Sequence, residues 1–374
     1  MKKIIGIVAE YNPFHQGHLY HIQESRKIVG EDAGVVCVMS GDFVQRGEWA
    51  IQPKHLRAAD ACRQGADLVV ELPLPWCLSS AGYFASGAVA VLKAFGITHL
   101  SFGSESGNLE ELQNMAEVTA TEDFQQKVAC LLAENPHQSY PAARSAVLGN
   151  KNADLPNNLL AIEYLLALRH TEITPVAIKR IGLAHDERGD GAVLSATEVR
   201  SRIRSGAFQA AHIDDEKMDL ACVSRLRMLE KEAFLTLPDC QDGLGQRLYQ
   251  AVRESSSLEG IAFAAKTKHY TLSRIRRSLL CAALGISREE REGVPPYARV
   301  LAMNSRGREL IAAARKNPYL PVITRPKAVF QLDARAQRLF ALGASAHDLY
   351  MLCYPERAGE ACGEDYRLSP VFAE

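Results

Sequence analysis

The chain has 374 residues, with 43 lysines and arginines against 44 aspartates and glutamates, a formal charge of −1 and 47% hydrophobic residues. That composition excludes a disordered chain, a collagen-like repeat and a disulfide-stapled miniprotein, and a charge near zero argues against a uniformly basic nucleic-acid binder. At about 100–200 residues per domain, the length allows two or three domains, each able to bury its own core.

In chain order, the first apolar run, Lys3 to Ala9, turns polar at Glu10 and is too short for a signal peptide or a membrane span. Further β-branched runs at Gly34 to Met39, Asp67 to Leu72, His99 to Phe102 and Val176 to Ile181 read as strands. Between them lie helical patterns at about 17–29, 53–64, 79–95, 108–134 and 157–169. Continuous apolar strands alternating with helices predict a parallel sheet covered on both faces, a doubly wound α/β domain over residues 1–205. Ligands in such sheets sit outside the carboxyl ends of the strands. From about residue 206 helical periodicity takes over, as in Ala221 to Ala233 and Gly243 to Glu254, which predicts a mostly α-helical region over 206–374. The nine cysteines are scattered singly, without zinc-ligand spacing or a nucleophile signature, as reduced small hydrophobes of a cytoplasmic protein would be.

The first strand runs into Glu10-Tyr11-Asn12-Pro13-Phe14-His15-Gln16-Gly17-His18. This places His15 and His18 at the carboxyl end of the strand and the amino end of the first helix, where backbone N–H groups and the helix dipole favour an anion. Gly17 leaves room for a phosphate or a ring to approach the backbone. Two imidazoles three residues apart at a helix start can donate hydrogen bonds to the charge that develops on phosphate oxygens during an in-line displacement. A surface turn that happens to contain histidines is the plainer alternative.

The HxGH pattern and the longer string from Val8 to His21 closely resemble the bacterial tRNA(Met) cytidine acetate ligase family, within the superfamily of small nucleotidyltransferases and class I aminoacyl-tRNA synthetases. The resemblance continues through Met39 to Glu48, Gly65 to Pro73, Phe102-Gly103-Ser104-Glu105, Pro156 to Leu160, Leu194 to Arg200 and Lys266 to Thr271, and so covers most of the chain. It implies a Rossmann-like nucleotidyltransferase sheet, His15 and His18 as catalytic residues, and no protein metal cluster, with magnesium carried by the phosphates of ATP. It implies ATP binding by Ile7, Val8, Ala9, Glu10, Tyr11, Asn12, Pro13, Phe14, His15, Gln16, Gly17, His18, Leu19 and Tyr20, joined by Gly103, Asn157 and Arg180. It also implies acetate, ATP and elongator tRNA(Met) as partners, with neither membrane nor DNA. Acetate would be activated as acetyl-adenylate and its acetyl group transferred to N4 of the wobble cytidine.

Read without the resemblance, Gly103 is a turn glycine, Asn157 and Asn158 are helix caps, and Arg180 is a solvated strand-end arginine. Ser195 with Glu198 three residues on is a capping box, while the resemblance to the superfamily, whose equivalent turn faces the triphosphate, implies Ser195, Thr197 and Arg200 as second candidates for it. Arg46, Lys54 and Arg57 could line the acceptor side, though solvated charge is the simpler reading of each. Lys266, Lys268, Arg274, Arg276 and Arg277 crowd twelve acid-free residues with His269 and Tyr270 among them, a pattern suited to RNA phosphates and unstacked bases or to a solvated basic helix. Residues 253–327 carry 15 basic and six acidic side chains, a net +9, so the rest of the chain carries −10. The near-neutral total is thus a cancellation, as expected of a protein with one RNA-facing region. Two other activities fit parts of this pattern: a small-molecule adenylyltransferase, which leaves the basic half unexplained, and a nucleotide-sensing RNA-binding protein without turnover.

Overall fold

The computed structural model describes residues 2–135, 137–180, 194–316, 319–357 and 361–373. Its strands are β1 (Ile4–Ala9), β2 (Gly34–Ser40), β3 (Phe43–Val44), β4 (Glu48–Trp49), β5 (Leu68–Leu72), β6 (His99–Ser104), β7 (Thr174–Lys179), β8 (Ala298–Met303), β9 (Val322–Ile323) and β10 (Val371–Phe372). The main sheet runs β10-β8-β5-β2-β1-β6-β7, with β9 beside β8, and β3 and β4 form a separate hairpin. Neighbours from β5 to β7 are parallel, which gives the expected doubly wound arrangement.

The period-two alternation of β2 divides the core. Val36 and Val38 point to one face, against Trp76, Phe84, Leu92 and the Pro156–Leu168 helix. Val35, Cys37 and Met39 point to the other, against Ile22 of the Gln16–Val29 helix and Ala58 of the Lys54–Arg63 helix. All seven residues of β2 are buried, as a central strand covered on both sides must be. A third core, built on Leu226, Phe234, Leu248, Ile275 and Leu279, unites the Asp215–Arg227, Leu244–Glu254, Leu258–Ala265 and Leu272–Leu284 helices and reaches Phe43 of the hairpin.

The second half departs from expectation. Strands do not stop at residue 206: β8 adds antiparallel to β5, and β9 and β10 flank it. A short run such as Ala298–Met303 does not declare strand or helix by periodicity, and the open edge of β5 decides it. Other differences are local. The helical pattern at 108–134 breaks into Leu109–Thr119 and Glu122–Glu134, because Thr121 accepts from the Phe124 N–H and starts a new helix. The pattern at 79–95 becomes Ala81–Lys93, and 221–233 becomes two helices, Asp215–Arg227 and Lys231–Leu235. The last parallel strand starts two residues earlier than expected, and Ile181 lies outside the described residues. All nine cysteines are unpaired, seven of them buried. Among the described residues, no helix is long and apolar enough to cross a membrane.

Candidate active site

β1 is central in the sheet, so its carboxyl end opens between the ends of β2 and β6. There the chain turns sharply: Tyr11 adopts left-handed backbone (φ +44) and the Asn12–Pro13 peptide is cis. The turn is pinned from below. The Tyr11 hydroxyl lies 3.1 Å from Cys37 Sγ, and Asn12 Oδ1 accepts from the Ile51 N–H at 2.8 Å.

His15 is the N-cap of the Gln16–Val29 helix; its Nδ1 accepts from the Gly17 N–H at 3.0 Å, while His18 Nδ1 accepts from the His15 N–H at 3.2 Å. The two rings form a reciprocal capping box and stack with centroids 3.8 Å apart. The hydrogen bonds settle the tautomers, since a neutral imidazole that accepts at Nδ1 carries its proton on Nε2. Both histidines therefore present Nε2–H donors. Burial lowers the His15 pKa to about 4, with the Arg180 and Arg200 charges pushing the same way. Burial also drives His18 well below the usual range, with His15, His21 and Arg180 adding to it. The edge of Tyr11 at 4.9 Å and the ring of Phe14 at 5.4 Å supply the apolar wall around His18. The pair is thus a set of neutral donors at neutral pH. As expected, a ring approaches the backbone closely at Gly17: a Cβ there would lie 2.9 Å from His15 Cε1. The glycine makes room for the capping imidazole.

Gly103 on β6, Asn157 and Arg180 come together beside this pair. The Arg180 guanidinium donates to Asn157 Oδ1 at 2.8 Å, and a Cβ on Gly103 would meet the Arg180 stem at 3.3 Å. Neither Asn157 nor Asn158 is the helix cap. Glu105 caps the Pro156–Leu168 helix from outside, accepting from the Asn157 N–H at 3.1 Å, the Asn158 N–H at 2.8 Å and Asn157 Nδ2 at 2.6 Å. This last bond turns the Asn157 amide so that Oδ1 faces Arg180. Asn158 is buried and its Oδ1 accepts from the Glu105 N–H at 3.0 Å.

Of the remaining nucleotide candidates, Ile7 is buried in the core and can offer only its backbone, Val8 and Ala9 complete β1, and Gln16, Leu19 and Tyr20 lie on the first helix. The Glu10 carboxylate accepts from the Gln45 N–H at 2.9 Å, and burial raises its pKa. Ser195 caps the Ala196–Arg204 helix by accepting from the Glu198 N–H, as expected, while Glu198 pairs forward with Arg202. Arg200 reaches the turn: it donates to Asn12 O at 2.9 Å and to Thr197 Oγ1 at 3.2 Å.

Contrary to expectation, Lys54 and Arg57 are neither solvated charges nor free acceptor-side groups. Arg57 is fully buried and donates to the carbonyls of Glu10, Ser40, Gly41 and Gln52, tying three segments around the turn. Lys54 is buried between Glu71 (2.8 Å) and Asp365 (2.6 Å). Arg46, at the hairpin, is exposed. The basic cluster is likewise largely committed inside the protein. Arg274 donates to Asp239 O and Asp242, Arg276 pairs with Glu259 at 2.7 Å and Glu48 at 3.7 Å, and Arg277 donates to Gln45 O at 3.2 Å. Lys266 Nζ donates to Thr267 O and Tyr270 O from an exposed position, and Lys268 is exposed. The +9 segment is no single surface either, because Arg299 lies buried in β8.

The charges that bear on the His15 imidazole are those of Arg180 and Arg200, and the buried Glu10 carboxylate that precedes the turn is engaged by the Gln45 N–H and lies within the influence of Arg200. That donor set fits a magnesium ion arriving on a nucleotide's phosphates rather than one gripped by a carboxylate cage. Elsewhere, His55, His347 and Asp365 bring ligand-type atoms within 4.8 Å of one another. Asp365 is already held there by Lys54 and Arg299, and although burial opposes its charge, Asp42 beside His347 lifts that imidazole's pKa to about 9. The trio belongs to a buried ion-pair network in which Lys54 and Arg299 already balance the Asp365 carboxylate.

The paired neutral imidazoles, the helix N-terminus and the charges of Arg180 and Arg200 lie together, an arrangement that favours an anion. Residues 1–365 match the HIGH Nucleotidyl Transferase family. The chain is 36% identical to the tRNA(Met) cytidine acetate ligase of Syntrophotalea carbinolica, covering 99% of this chain and 98% of that one. It is 34% identical to that of Acetivibrio thermocellus, over 97% and 98% of the two. The fold matches a crystal structure of Thermotoga maritima TmcAL bound with alpha-thio ATP at a TM-score of 0.88 and 28% identity, over 99% of both chains. The chain therefore belongs to the HIGH nucleotidyl transferase family and, within it, to the tRNA(Met) cytidine acetate ligases.

Proposed function

We propose that the protein is an ATP-dependent ligase that activates acetate as acetyl-adenylate and then acetylates N4 of the wobble cytidine of elongator tRNA(Met) in the cytoplasm. The observation that carries this reading is the pair of Nε2–H donors on His15 and His18, fixed by their Nδ1 bonds at a helix N-terminus. Acetate attacks the α-phosphorus of ATP and pyrophosphate leaves. Neutral donors stabilise the charge growing on the phosphate oxygens without a protonation step, and Arg180 and Arg200 add fixed positive charge. Magnesium carried by the triphosphate would offset its charge. The adenine and ribose lie toward Gly103 and Asn157, and Glu105 sets the Asn157 amide for that contact. The cytidine amine is a weak nucleophile because its lone pair is delocalised into the ring, so the mixed anhydride supplies the activated acyl group it needs. Exposed Lys266 and Lys268 face the RNA phosphates, while Arg274, Arg276 and Arg277 shape the helical region behind them.

The test is ATP–pyrophosphate exchange dependent on acetate, followed by mass analysis of elongator tRNA(Met) incubated with the protein, ATP and acetate. Label exchange with acetate and a gain of one acetyl group on the wobble cytidine are expected. Exchange with nicotinamide mononucleotide but not with acetate would overturn the ligase reading.

A further inference from the structure

A cleft of about 530 Å³ opens between the β3–β4 hairpin and the Ala196–Arg204, Asp215–Arg227, Leu258–Ala265 and Leu272–Leu284 helices. We propose that this cleft seats the acceptor cytosine, with Glu48 receiving the proton that N4 loses as it is acetylated. The proposal deepens the ligase reading and rests on it.

The hairpin follows β2 on one side of β1, whereas Gly103 lies near the end of β6 and Arg180 follows β7 on the other, so the cleft and the proposed nucleotide site flank the histidines from opposite sides. Arg200 links the two: it donates to Asn12 O in the histidine turn, and Glu48 is the foremost carboxylate sustaining its charge against burial. Arg204, one helical turn beyond Arg200, is already in the cleft wall.

Leu258, Leu279 and Leu280 give an apolar floor, Trp49 offers a ring, and Glu48 lies 3.7 Å from Nη1 of Arg276, whose Nε and Nη2 are fixed by Glu259. Cytosine presents an amine donor at N4 beside an acceptor at N3, the complement of a carboxylate next to a guanidinium. Uracil presents the reverse pattern, O4 to the carboxylate and N3–H to the guanidinium, so both contacts become repulsive. The remaining carboxylates of the cleft disfavour a phosphate, which suits a base swung out of the anticodon loop rather than a tracked RNA backbone.

The step balances. The N4 lone pair attacks the acetyl carbonyl carbon of acetyl-adenylate and a C–N bond forms; the bond from that carbon to the phosphate oxygen breaks, and AMP leaves with its electron pair. The surplus N4 proton passes to the Glu48 carboxylate and then to water.

The experiment compares wild-type protein with Glu48→Gln in two assays: acetate-dependent ATP–pyrophosphate exchange, and single-turnover acetyl transfer to elongator tRNA(Met). Loss of a positioned proton acceptor costs about 10²-fold or more, so transfer should fall at least that much further than exchange. Binding gives a second readout: tRNA with a wobble cytidine should quench Trp49 fluorescence more than the same tRNA with a wobble uridine, a difference that Trp49→Phe removes and Glu48→Gln narrows. Trp76, the other tryptophan, is buried in the sheet core. Transfer that survives Glu48→Gln, or exchange and transfer falling together, overturns the acceptor cleft. Absence of acetate-dependent exchange in the wild-type protein overturns the ligase reading itself and the acceptor with it.

Discussion

At the scale of single residues, His15 and His18 show how backbone contacts define chemistry. Their spacing and place after a strand are legible in the sequence, and so is the anion-favouring helix start. Which nitrogen carries the proton is not, because that depends on two hydrogen bonds formed only in the folded turn. Replacing either histidine by alanine removes one charge-stabilising donor, and acetate-dependent pyrophosphate exchange should fall about 10²- to 10³-fold. The imidazoles should also titrate abnormally: in an NMR pH series the His15 ring should change with a midpoint near 4, and a midpoint near 6.5 would contradict its desolvated placement. Charged residues were the least legible class. Lys54 and Arg57 have the sequence signature of solvated charge, and only the carboxylates and carbonyls converging from distant segments show that they are buried ties.

At the scale of elements, two long-range contacts decide how loops meet the site. Glu105 caps a helix that begins 51 residues later, so no local pattern announces it; the stretch Phe102 to Glu105 is readable as important, but its partner is not. Glu105→Gln leaves one amide oxygen for three donors. We expect a stability loss of about 1 kcal/mol, typical of a helix cap, together with a raised KM for ATP in the exchange assay because Asn157 no longer holds Arg180. Restoring the carboxylate as Glu105→Asp should recover part of the KM, which a purely global loss of stability would not produce. The hairpin depends on Gly47, whose φ is +78 and whose added Cβ would meet the Arg277 N atom at 2.5 Å and Arg276 C at 2.8 Å. Gly47→Ala should lift the hairpin from the Leu272–Leu284 helix and cost more than about 1 kcal/mol in urea unfolding, since left-handed strain and a backbone clash combine.

At the scale of the whole molecule, the two halves are locked by a buried ion network rather than merely abutting. Asp42, Lys54 and Glu71 come from the first half; Arg299, His347 and Asp365 come from the second, through β8, the Ala334–Leu352 helix and the turn beyond it. This explains why an apolar run near residue 300 completes the first sheet, a fact that strand periodicity alone does not convey. Asp365 meets Lys54 at 2.6 Å and Arg299 at 2.7 Å. Asp365→Asn leaves two buried cations underpaired, so urea unfolding should show a loss of about 3–5 kcal/mol. The network also sets a pH signature. Burial opposes charge on His347, yet Asp42 lifts its pKa to about 9, so the folded state retains a proton that the unfolded state releases near 6.5. That stability is complete below pH 6.5 and is lost as pH rises through 9. His15 and His21 act in the opposite sense: burial, with Arg180 contributing, lowers both to about 4, so protons bind the unfolded state first and stability falls as pH drops from 6.5 toward 4. Unfolding free energy should therefore peak near pH 6.5, and His347→Gln should flatten the alkaline limb while leaving the acid limb in place. An alkaline limb of unchanged slope in that variant would show that His347 does not carry the charge linking the halves.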